Sequence, residues 1–316
     1  MEVIKELMAL GILVEPEAVE LLISLDEDKL KTVVEKSKEE RPLVLSNQIV
    51  EKFLKATKYK IIKTLDKRKS FSVQDIVDSM NKRYDFVQNI LMRKVELSNI
   101  VSINKCTNGK LTVIGMVKNK EKSDNNVLLE LEDKTGSVKA VVSSDIGKKI
   151  DQDDIIAVHG NYNNKLLFGE KVVYPDIPLR RVAYSTNATK VAFITNHDFT
   201  NKLDVSADYI FIGKCDNVEK VTVQYPTSKV FVIDDEKITN PSLIDIDGII
   251  IMVLFDIDPL EAVKKRFVSI ENSDFLIDTI PDIILTDKDI NANYKGISIV
   301  GGKSIIELKT RNIVKI

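Results

Sequence analysis

LTVIGMVKNKEKSDNNVLLELEDKTGSVKAVV, running from Leu111 to Val142, is the stretch whose reading decides the fold. Leu111 to Val117 is mostly apolar and rich in β-branched residues, with Gly115 inside it. A glycine within a strand marks a bulge or a tight coil, as a small closed barrel needs. Val127, Leu129 and Leu131 alternate with residues of the opposite face, the period of two that defines a strand. Asp133-Lys134-Thr135-Gly136 has turn chemistry, and Val138 to Val142 is the returning strand.

Working outward, Ile155 to Val158 is a fourth strand candidate. Lys165 to Phe168 and Lys171 to Tyr174 follow it. Five short strands in about 70 residues predict a closed barrel of the OB type, with a plain β-meander as the alternative.

The 316 residues are 44% hydrophobic and 30% charged, which predicts a globular protein of two or three domains. No apolar run reaches the roughly 20 residues a membrane helix needs, so no membrane partner is expected. The start, MEVIKELMALGI, is too acidic for a secretory signal. Cys106 and Cys215 are the two cysteines and form no CxxC pair. That predicts a reducing, cytoplasmic setting without a disulfide framework.

Charge is divided along the chain. Residues 1–41 carry 6 Lys/Arg against 11 Asp/Glu, a net of -5. Residues 42–100 have a net of +6, residues 101–181 of +2 and residues 182–316 of -5. The basic surplus can meet phosphates or can be a solvated helix face.

The pattern predicts four segments. Residues 1–41 form a helical N-terminal module, with Ile4, Leu7 and Met8 on one face, Pro16 at a helix start and Asp26 capping a third helix. Residues 42–100 form a helical, basic connecting region. In it, Ser72 or Asp75 starts a helix carrying Ile76, Val77 and Met80, and Tyr84, Val87, Ile90 and Leu91 stripe the next one. Residues 101–181 are the barrel. Residues 182–316 alternate short apolar strands with loops, with one helix over Pro259 to Phe267, as a layered α/β domain does.

Several runs together carry a family resemblance. They are Lys82-Arg83-Tyr84, Val101 to Lys105, Val113 to Val117, Glu132 to Gly136 and Pro175-Asp176-Ile177-Pro178. Asn240-Pro241-Ser242-Leu243 with Gly248, and Pro281-Asp282-Ile283, complete the set. In order and spacing, over nearly the whole chain, these resemble the small subunit of archaeal family D DNA polymerases. That group also includes the B-subunits of eukaryotic replicative polymerases. The resemblance implies a multi-domain α+β protein: a helical N-terminal module, an OB-fold β-barrel and a calcineurin-like phosphoesterase α/β domain, here reduced.

In archaeal members the last domain is implied to carry a two-metal nuclease site, with cations about 3.5–4 Å apart. This chain departs from that pattern. The Asp-x-His motif aligns with Asn196-His197-Asp198, and Gly-Asp falls near Gly213-Lys214, close to Asp216. Gly-Asn-His-Asp would fall near Asp234-Asp235-Glu236-Lys237 and is absent. A histidine expected after the Gly248 strand falls near Leu254-Phe255, and the closing Gly-His-x-His falls on Asp287-Lys288-Asp289-Ile290. The only histidines are His159 and His197. Asp198, Asp216, Asp234, Asp235 and Asp287 can bind a hard cation weakly, but Lys214 and Lys288 oppose a bimetallic cluster. The expectation is a lost metal site, with Asn196, Asp198, Lys214, Asp216, Asp235, Lys288 and Ile290 as degenerate motif positions. No cofactor and no intrinsic catalysis are expected. No Gly-x-Ser-x-Gly elbow or Walker loop is present.

The expected function is therefore a non-catalytic scaffold subunit that binds the large catalytic polymerase subunit. DNA would be reached through the complex, and other replication proteins through the N-terminal module. Weak DNA contacts are assigned to Lys118, Lys120, Lys122, Lys134 and Lys139. The alternatives are a stand-alone single-strand-binding OB protein, for which Tyr162, Phe168 and Tyr174 are few aromatics, and an active metal-dependent 3'-5' nuclease subunit.

Overall fold

The computed structural model describes residues 2–25, 27–54, 59–66, 71–123, 125–196, 205–215, 223–234, 237–270 and 273–316. In chain order the first elements are α1 (Glu2–Ala9), β1 (Leu13–Val14), α2 (Pro16–Ser24), α3 (Glu27–Glu40), β2 (Val44–Leu45), α4 (Asn47–Leu54) and β3 (Tyr59–Thr64). Then come α5 (Val73–Met92), β4 (Gly109–Lys122), β5 (Asn126–Asp133), β6 (Gly136–Ser143), α6 (Ser144–Gly147), β7 (Ile155–Asn163) and β8 (Leu166–Val173). The strands β9 (Lys190–Asn196), β10 (Tyr209–Lys214), β11 (Lys229–Val232), β12 (Ser242–Ile246) and β13 (Ile249–Leu254) follow, and then α7 (Pro259–Lys265). The last strands are β14 (Phe267–Ile270), β15 (Ser273–Leu276), β16 (Ile283–Thr286), β17 (Asn291–Tyr294), β18 (Ile297–Gly301), β19 (Ser304–Glu307) and β20 (Ile313–Lys315).

These elements make two compact units. One comprises Met1–Thr64, Val182–Asp256 and Pro281–Ile316; the other comprises Leu65–Arg181 and Ile257–Ile280. The units cut the chain differently from the four segments read in the sequence. The expected connecting region 42–100 is shared between both, and residues 257–280 group with the barrel rather than with the last domain.

In the first unit, the N-terminal helices close around Leu7, Ile12, Ala18, Leu22, Val33, Leu45, Val50 and Phe53. The last three lie beyond residue 41, so α4 completes this module. Pro16 opens α2 as the sequence predicts, with Glu15 at the N-cap. The Asp26 cap lies outside the described residues.

Two sheets follow in this unit, ordered β11-β10-β9-β19-β20 and β17-β18-β16-β13-β12-β3. Val191, Phe193, Tyr209, Phe211 and Phe231 of the first share one core with Ile244, Ile246, Ile251, Val253, Ile283 and Leu285 of the second. The alternate residues Ala192, Ile194, Ile210 and Ile212 are buried on the other face. Burial on both faces explains why these strands read as continuous apolar runs. Strand β3 corrects the expectation that the connecting region 42–100 is helical throughout. Tyr59–Thr64 pairs antiparallel with Ser242–Ile246. Its Tyr59 ring packs edge-on against Phe231, 5.1 Å between centroids.

In the second unit, β4-β5-β6-β8-β7 closes into a five-stranded barrel. Val127, Leu129, Leu131, Val138, Ala140 and Val142 fill it, the residues that period two places on one face. The fifth strand candidate, 165–168 with 171–174, is β8, which pairs parallel with β6 and antiparallel with β7. The predicted pair of helices over 72–91 is the single helix α5. Ser72 caps it in a reciprocal pair with Asp75. Its Tyr84, Val87 and Leu91 pack on Ile114, Ile155, Ala157 and Val173 of the barrel. Helix α7 stops at Lys265, short of the predicted Phe267, because Arg266 turns left-handed at φ 64°.

Candidate functional site

The motif positions fall at the C-terminal ends of parallel strands in the first unit. Asn196 ends β9 and Lys214 ends β10, and they are register partners. Asp256 follows β13, and Asp287-Lys288 follows β16, a parallel neighbour of β13. His197, Asp198, Asp216, Asp235 and Glu236 lie outside the described residues.

Phe255 dominates this strand-end region. It lies at the strand end near which, at Leu254-Phe255, the resemblance leads one to expect a histidine. Its ring stands edge-on to Phe193, 5.5 Å between centroids. It also lies over Gly213, where an ideal Cβ would overlap the ring and the Thr195 carbonyl oxygen. Glycine at 213 is thus required by the aromatic ring above it. The Asn240 carboxamide fixes the Phe255 backbone. Its Oδ1 accepts from the Phe255 N–H at 2.9 Å, and its Nδ2 donates to the Phe255 carbonyl at 3.1 Å.

The nearby carboxylates serve the loops. Asp234 accepts the Asn240 N–H at 3.0 Å, and Asp287 accepts the Asp256 N–H at 3.0 Å. Lys288 Nζ lies 3.7 Å from Asp287 Oδ2, and the Ile290 N–H donates to the Lys288 carbonyl. Among the described residues no three His, Cys, Asp or Glu side chains converge on a point where a metal ion could sit. The chemistry of this donor set is backbone tethering around an apolar plug. Sequence reasoning noted Asn240 and Phe255 only as aligned positions. Their mutual bonding has no local signature, because 15 residues separate them.

The five barrel lysines do not share a face. Lys118 is the extra residue of a bulge between Val117 and Asn119, which turns it outward. There it meets Glu132 at 3.3 Å and Glu130 at 3.6 Å. Lys120 pairs across the ladder with Leu129, and its ammonium caps the Ile150 carbonyl. Lys122 is exposed at the end of β4, opposite Val127. Lys134 is bound to Asp85 at 2.6 Å. Lys139 is exposed on the outer face, opposite Glu130. Tyr162 and Tyr174 pack against the barrel core. Phe168 is the aromatic of the three that stays open, 48% exposed.

The second unit also holds buried ionic networks. Arg83 donates to Ser269 at 2.8 Å and Asp274 at 3.0 Å, and stacks 4.8 Å from the Phe267 ring centroid. Lys265 joins Asp154 at 2.8 Å, Asp151 at 3.2 Å and Glu261. Burial alone would lower the Lys265 pKa, but its bonds to Asp154 and Glu261 outweigh that and hold it above the usual lysine range. Both cations line a cavity of about 290 Å³ and are spent on these carboxylates.

No protein-family model matches the chain. Five curated proteins do, all named DNA polymerase II small subunit. The relative from Methanothermobacter thermautotrophicus is 29% identical over 136 residues, 40% of this chain and 28% of that protein. The Pyrococcus abyssi relative is 31% identical over 119 residues, 34% of this chain and 19% of that one. The Archaeoglobus fulgidus relative is 24% identical over 148 residues, 45% and 30% respectively. The matched stretches therefore span less than a third of these relatives. They also cover less than half of this chain, not nearly all of it as the motif order suggests. Among solved structures, an OBody bound to hen egg-white lysozyme overlaps 25% of the chain and 95% of that chain, with a TM-score of 0.23 and 10% identity. Over a third to nearly half of its length, the chain is similar to the archaeal DNA polymerase II small subunits, the family D group.

Proposed function

We propose that this chain is a non-catalytic accessory subunit of a family D DNA polymerase, scaffolding the large catalytic subunit. Its barrel is of the OB type, and its two-sheet region is a reduced calcineurin-like phosphoesterase layer whose metal site is gone. The names of the relatives support a polymerase subunit role. The closed barrel and the short helix α6 between its third and fourth strands support the OB reading.

The observation that carries the non-catalytic half is Phe255. A buried aromatic ring, its backbone held by Asn240 and its face seated on Gly213, fills the strand end near which the resemblance implies a histidine ligand, and this supports the reading. Residues 182–256 and 281–316 carry 12 Lys/Arg against 15 Asp/Glu, a net of -3 that favours a protein partner over DNA for that layer. DNA contact is left to the barrel, chiefly Lys122 and Lys139, for which no carboxylate partner stands among the described residues. The single-strand-binding reading has less support, since successive bases need successive stacking rings and Phe168 stands alone.

Affinity capture of the tagged chain from its own cell, with mass-spectrometric identification of what co-purifies, tests this function. A polymerase large chain in stoichiometric amount is expected. Recovery of DNA alone, or of no partner, contradicts it.

A further inference from the structure

Helix α5 carries one apolar stripe along its whole length: Val73, Val77, Met80, Tyr84, Val87 and Leu91, spaced by alternating fours and threes. The second half of the stripe is buried on the barrel. The first half is not, although the same helix continues: Val77 is 43% and Val73 79% exposed. Beneath it, Val77, Met80 and Tyr84 face Met116 across an open groove of about 230 Å³, rimmed by Asn81, Glu132, Asp133 and Lys134. This volume is below the range of small-molecule sites, and no set of polar groups converges in it. It suits side chains offered by another element.

The electrostatics select the chemistry of that element. Lys134 is spent on Asp85, and Lys118 on Glu130 and Glu132. Asp133 is held at the groove by the N–H groups of Ile103, Thr135 and Gly136. Burial pushes the Tyr84 phenol well above its usual range, with Asp133 and Asp85 adding to the shift. Asp78, on the exposed turns of α5, adds a further carboxylate.

We propose that this groove docks one amphipathic helix of a partner protein, its apolar stripe packed against Val73, Val77, Met80 and Met116 and flanked by lysine or arginine. A stripe with heptad-like spacing is complemented by a second helix with the same spacing. Methionines at positions 80 and 116 let the floor adapt to the incoming side chains. Flanking cations complete the interface by complementing the acidic rim.

The test uses the full chain and two fluorescein-labelled helical peptides of about 18 residues, or five turns. Both carry leucine at heptad spacing; one has lysine flanks and the other glutamate flanks. By fluorescence anisotropy, the lysine peptide should bind at least about tenfold more tightly than the glutamate peptide. The double variant Val73→Asp/Val77→Asp, both sites being exposed, should keep the wild-type circular dichroism and melting curve yet lose about tenfold in affinity. Equal binding of the two peptides, no binding, or full affinity in the double variant would overturn the proposal. So would a wild-type dimer that the double variant converts to monomer, since the occupant would then be a second copy.

Discussion

The Asn240 side chain makes two hydrogen bonds to the backbone of Phe255, one accepted and one donated, and so holds the aromatic ring at the end of β13. The asparagine thereby fixes the relative position of two loops. The first prediction follows. Asn240→Ala should lower stability by about 1–3 kcal/mol, since two backbone groups lose their partner. Urea unfolding measures it. Asn240→Asp should be no better than alanine, because it keeps the acceptor but sets a carboxylate against the Phe255 carbonyl.

Gly213→Ala should destabilise by about 1–3 kcal/mol, because the new methyl meets both the Phe255 ring and the Thr195 carbonyl. Combining it with Phe255→Leu should recover part of that loss, since one of the two obstacles shrinks. Strict additivity of the two changes in a double-mutant cycle would show that residues 213 and 255 do not touch.

Arg83 and Asp274 form a pair whose side chains are 6% and 10% exposed. Asp274→Ala leaves a buried guanidinium short of its counter-ion and should destabilise by about 3–5 kcal/mol. Replacing both with apolar residues of similar volume should be far milder. Chemical denaturation of the single and double variants decides.

Glu40 reaches Lys52 at 2.9 Å and Lys229 at 3.4 Å. Burial raises its pKa, but the two lysines outweigh that and leave it below the ordinary 4.5. A depressed carboxyl stabilises above the unfolded value and ceases to do so as pH falls through the folded value. The stability difference between wild type and Glu40→Gln should therefore be full at pH 6 and vanish on acidification below about 4.5. A difference that does not change between pH 6 and pH 3 would refute this.

How much of this was legible in sequence depends on range. The barrel was, because Val127, Leu129 and Leu131 state their burial by alternation within one strand. The Ser72 cap and the α7 start at Pro259 were legible for the same local reason. Strand β3 was not: Tyr59-Lys-Ile-Ile-Lys-Thr is short and half polar, and it becomes a strand only against Ser242–Ile246, far along the chain. The barrel lysines shared a sequence neighbourhood, yet a bulge at Lys118 and the pleat separate their faces. The Phe255 plug was invisible because its partners, Gly213, Phe193 and Asn240, come from three different segments.

The central claim is a scaffold subunit without its own catalysis, and the most direct measurement is co-expression with the large polymerase subunit of the same genome. The two chains should co-elute from a size-exclusion column at micromolar concentration. The small chain alone, with manganese, should leave labelled single-stranded and mismatched DNA intact. Separate elution, together with manganese-dependent degradation that is lost in Asp198→Ala or Asp216→Ala, would contradict the account.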